Sequence, residues 1–79
     1  MNKIYIAIVP VVVVVRRHAG VALEGKAIFA FRNNYDLEVF KRSMKMREAM
    51  VLEWVKNHMN EEFEELILNA PEYYETETK

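Results

Sequence analysis

Residues 10–20 read PVVVVVRRHAG: one proline, a valine tract, two arginines and a histidine before the first glycine of the chain. The side chains of Val11 to Val15 are stiff about χ1 and fit a pleated surface better than a helix. Toward the N-terminus, Ile4, Ile6 and Ile8 alternate with Tyr5, Ala7 and Val9, so both sets are apolar. A strand apolar on both faces is buried on both, by helices or by another subunit. Pro10 has no N–H to give a ladder and marks a bulge, a bend or an edge. Residues 4–15 therefore read as one strand or two. Their apolar run falls short of the roughly 20 residues of a membrane-spanning helix. Arg16 and Arg17 stand where a signal peptide would place small uncharged residues. The expectation is a soluble, cytoplasmic protein with no membrane contact.

On the C-terminal side, Gly20 and Gly25 frame a turn region. Ala27, Phe29 and Phe31 alternate with Ile28, Ala30 and Arg32, which predicts a strand over about 26–32, closed by Asn33-Asn34. The period then changes. Leu37, Phe40, Met44, Val51, Val55 and Met59 recur at helical steps, and Val39, Met46, Met50 and Trp54 make a second apolar stripe. One long helix is expected, capped by Asn34 or Asp36. Asn60, Glu61 and Glu62 open a short acidic helix with Phe63, Leu66 and Ile67 on its apolar face, and Pro71 ends it. Residues 72–79, EYYETETK, read as a polar tail. The fold class is α+β: an N-terminal antiparallel hairpin or three-stranded meander, one long helix and a short acidic C-terminal helix. Residues 1–71 form a single domain, with 72–79 as an acidic tail.

At 79 residues the chain buries only about 60% of its unfolded surface, and it has no cysteine to form a disulfide. Self-association supplies what is missing. A homodimer or higher oligomer is expected through Val11, Val13 and Val15 and through Met46, Met50 and Trp54. The arginines after the valines then act as gatekeepers against aggregation.

Catalytic chemistry finds little support. Ser43 is the only serine and lies within a helical stretch, Asp36 is the only aspartate, and no glycine-rich phosphate loop exists. His58 and Glu62, four apart, are two ligands at most, which do not make a metal site. No enzyme activity, no metal and no cofactor are expected. The charges, however, are divided. Residues 1–47 carry nine Lys and Arg against three acids, or +6; residues 48–79 carry two lysines against nine glutamates, or −7. Such a split points to a polyanion partner or to pairing between the halves. Arg16, Arg17 and His18 at one strand end, Arg32 at another, and Lys41, Arg42 and Lys45 on the helix make a basic surface for RNA, if they converge. Tyr5 and Tyr35 could stack on bases.

In size, lack of cysteine and charge split, the chain is similar to small phage-type antagonists and antitoxins as a loose class. This resemblance implies a different partner: an inhibitor that sequesters a protein through its apolar strand or helix stripe.

Overall fold

The computed structural model describes residues 2–16, 20–59 and 62–78. Its first element is a single long strand, β1 (Asn2–Val15). β2 (Ala22–Phe31) returns antiparallel beside it, with Tyr5 opposite Phe31 and Val14 opposite Ala22. Gly20 holds the left-handed backbone of the connection at φ 85°. Two helices follow, α1 (Asn34–Arg42) and α2 (Met44–His58). The chain ends in β3 (Phe63–Leu68) and β4 (Glu72–Thr78). Both pair antiparallel with β1, on the side away from β2: β3 along Val11–Val15 and β4 along Asn2–Ile8. The result is an α+β fold with a four-stranded antiparallel sheet and two helices.

Pro10 explains why that edge is split. Its carbonyl accepts from the Asn69 N–H at 2.9 Å. In an antiparallel ladder a residue's N–H and C=O point the same way. The donor that Pro10 lacks therefore faces the gap between β3 and β4, where no strand requires it. The register sum also changes across that gap, from Val11 opposite Leu68 to Ile8 opposite Glu72, so one extra residue is inserted. A one-residue shift exchanges the faces of a strand. Here it keeps Leu66, Leu68 and Tyr73 together on the face that packs on the core.

The odd residues of β1 form that core. Ala7, Val9, Val11, Val13 and Val15 are buried, together with Ala27 of β2, Leu37 and Phe40 of α1, and Val51 and Val55 of α2. Phe40 lies between Phe29 and Phe31, with ring centroids 5.4 Å from each.

Four expectations are corrected. The single long helix is two helices, broken at Ser43, whose hydroxyl accepts from the Met46 N–H at 3.1 Å while Arg47 Nη1 donates to the Lys41 carbonyl at 3.0 Å. The serine caps α2 and the arginine closes the end of α1. The cap of α1 is Asn33, not Asn34 or Asp36: its side-chain oxygen accepts from the Asp36 N–H at 2.8 Å. The acidic helix is instead β3, because the Val11–Val15 edge of β1 needs a ladder partner and tertiary pairing overrides helical spacing. The proposed cap of that helix, Asn60 with Glu61, lies outside the described residues. The polar tail is β4, paired with β1 along its length. Residues 4–15 are one strand.

Candidate functional site

Among the described residues, the candidate basic side chains do not gather. Arg16 follows the C-terminal end of β1, and Arg32 follows the end of β2 that pairs near the N-terminus of β1. About a dozen strand residues separate the two levels, roughly 40 Å. Arg17 and His18 lie outside the described residues. Lys41, Arg42 and Lys45 flank the α1–α2 junction, a third location. Two of these cations share an acid. Glu38 stands 3.6 Å from Lys41 and 4.0 Å from Arg42. Lys41 also lies 4.7 Å from the ring centroid of Tyr73 on β4. Both cations sit in the last turn of α1, where they offset the helix dipole. Their structural roles are therefore accounted for. At the foot of the sheet Lys3 lies 3.8 Å from Glu75, an ion pair between the basic and acidic halves of the chain.

Of the apolar residues expected at an interface, Val11, Val13 and Val15 lie inside the protomer's own core. Met50 and Trp54 are half-buried against that core, and Met46 is exposed. The Trp54 ring stacks on His58 at 4.3 Å, and His58 Nδ1 lies 2.9 Å from the Trp54 carbonyl oxygen. That acceptor holds His58 with Nδ1 protonated. The ring is a helix-end brace, and no cluster of three metal-ligating side chains occurs among the described residues. No described helix is long and apolar enough to cross a membrane.

The feature that sequence reasoning assigned to the wrong residues is the other face of the sheet. Both helices pack on the odd side of β1. The even side, Ile4, Ile6, Ile8, Pro10, Val12 and Val14, has no described element over it and is half-exposed along its length. Its neighbours in register extend the patch. Ile28 of β2 stands beside Ile8, Ile67 of β3 beside Val12, and Tyr74 of β4 beside Ile6. These three are 56%, 40% and 50% exposed. Among the described strand residues of this face, charges lie only at its flanks: Glu24 and Lys26 on β2, Glu65 on β3 and Glu72 on β4. The Tyr74 hydroxyl donates to Glu72 at 3.0 Å, and this acceptor, then its negative charge, raises the phenol above its ordinary pKa. The sequence signal for this face was present in β2, where Glu24 and Lys26 share the even parity that pairs with Val12 and Pro10. No protein-family model matches the chain, and the comparisons with curated proteins and with solved structures find no match either.

Proposed function

We propose that the chain is a non-catalytic protein-binding module that works through the open face of its sheet. The observation that carries this reading is a continuous apolar strip on β1, extended by Ile28, Ile67 and Tyr74, with every charge at its margins. Contiguous exposed apolar surface rimmed by polar residues marks a protein contact. A β-branched sheet face is stiff, so little side-chain entropy is lost on docking. Binding of a polyanion is less well supported. The candidate cations occupy separate places, and Lys41 and Arg42 are tied to Glu38.

The test is site-specific photo-crosslinking in the native host. A photoreactive residue replacing Val12 should yield protein adducts, and one replacing Lys45 should yield none. Nucleic-acid adducts at Lys45 with none of any kind at Val12 would overturn the reading.

A further inference from the structure

We infer that the occupant of the open sheet face is a second copy of this chain, stacked face to face with its β1 running parallel to β1 of the first. This rests on the reading of that face as a protein-docking surface and names its partner.

Area comes first. β1 has 14 residues. At about 3.3 Å per residue, and with three strands about 4.8 Å apart, the face measures roughly 46 by 14 Å, or about 650 Å². Two such faces bury about 1,300 Å² in total, within the range of stable, specific interfaces. The sheet is also long enough to use it, since the molecule extends 48 × 25 × 19 Å along its principal axes. Two sheets stacked about 10 Å apart interdigitate their inner side chains as a sandwich core does. Ile4, Ile6, Ile8, Val12 and Val14 would be shielded by their own counterparts.

Charge then selects the axis. A twofold interface brings the same patch of both copies together. An axis across the strands would stack β2 on β2, and would also lay the flank bearing Glu65 and Glu72 on itself. An axis along β1 instead stacks β2 of each copy on β3 and β4 of the other. Lys26 lies at the level of Pro10 and Glu72 at the level of Ile8. The second arrangement therefore places them one pleat apart across the interface, twice by symmetry. Both levels fall near the middle of β1, where the crossing angle of an aligned sandwich displaces the strands least. Glu24, at the level of Val12, and Glu65, at the level of Val14, also lie one pleat apart in this arrangement, toward one end of β1. The central Lys26–Glu72 pair is what favours it over the first, in which an axis at the middle of β1 lays Glu72 on Glu72.

Sedimentation of the full chain reads the result. The wild type should sediment at twice its 9.4 kDa at about 10 μM, the weak end of the affinities that interfaces of standard size span. Ile6→Lys and Val12→Lys, made separately, should give folded monomers, because both residues lie outside the protomer's core. The charged flanks supply a test independent of folding. Lys26→Glu and Glu72→Lys should each weaken dimerisation about tenfold, and the two together should restore it to within about threefold. A wild-type monomer, a dimer indifferent to Val12→Lys, or reversals that add rather than compensate would overturn the inference. Its failure is separable from that of the parent reading. A monomer that still gives protein adducts at Val12 retains a docking surface with another occupant, whereas a monomer with none loses both.

Discussion

Single residues decide two local features of this chain. Ser43 is one. Without its hydroxyl the Met46 N–H in the first turn of α2 loses its acceptor, while Arg47 still reaches the carbonyls of Phe40 and Lys41, at 3.4 and 3.0 Å. Ser43→Ala should cost about 1 kcal/mol in chemical denaturation, the usual value of an N-cap. Arg47→Ala should add to it, because the two residues hold the same junction; a neutral Ser43→Ala would show that the break is held by packing alone. The other is Tyr74, whose phenol is raised because it donates to Glu72 and feels its charge. A raised folded pKa means the bond is fully present below the ordinary tyrosine value and is lost as pH rises through the higher folded value. Glu72→Gln should lower the midpoint of tyrosinate absorbance, with Tyr74→Phe identifying the signal. An unchanged midpoint would show that the Glu72 contact is not kept in solution.

The elements respond to partners more than to their own composition, and the C-terminal strands show it. Deleting residues 72–79 removes seven register pairs with Asn2–Ile8, and with them the packing of Tyr73 on the core and the Lys3–Glu75 ion pair. The deletion should cause a large drop in melting temperature; a change of only a degree or two would mean that β4 is an accessory. This is where the sequence was least legible. Phe63, Leu66 and Ile67 fit a helical step, and Glu75, Thr76 and Glu77 fit a tail, because neither segment contains the information that β1 has an open edge. By contrast β1, β2 and the helical period were legible, since alternation and the 3.6-residue repeat are local properties. The break at Ser43 was also written locally, but a serine within an unbroken apolar repeat is easily read as interior. The candidate site was half legible. Both faces of β1 were seen to be apolar, yet which one the helices cover depends on the charged residues of β2, a long-range pairing. Pro10 makes a further check. Pro10→Val would restore a donor that faces the β3–β4 gap, where it has no ladder partner. It should therefore gain little stability, while amide exchange at the restored N–H should be fast. Strong protection there would mean that the gap closes.

For the whole molecule, the distribution of charge sets what it does with nucleic acid. The +6 and −7 halves of the sequence do not become a basic face and an acidic face. Arg16 and Arg32 stand at opposite ends of the sheet, and the junction of α1 and α2 holds Lys41 and Arg42 beside Glu38, with Lys45 in the first turn of α2. In the face-to-face dimer these junctions lie on the two outer layers, so one duplex cannot track both. Each site then offers two or three phosphate contacts at most. Each contact contributes a log–log salt slope of roughly 0.7–0.9. Generic RNA should therefore bind with a slope no steeper than about −3, and weakly at physiological salt. Of these cations Lys45 is the informative one to change. It lies in the first turn of α2, where the helix dipole disfavours a cation and no acid is present. Lys45→Glu should thus stabilise α2 slightly and abolish what little RNA binding exists. Arg16→Glu should leave both unchanged. A slope near −5, reduced by Arg16→Glu and by Lys45→Glu alike, would require the distant cations to act on one strand, and would return the molecule to a nucleic-acid-binding role.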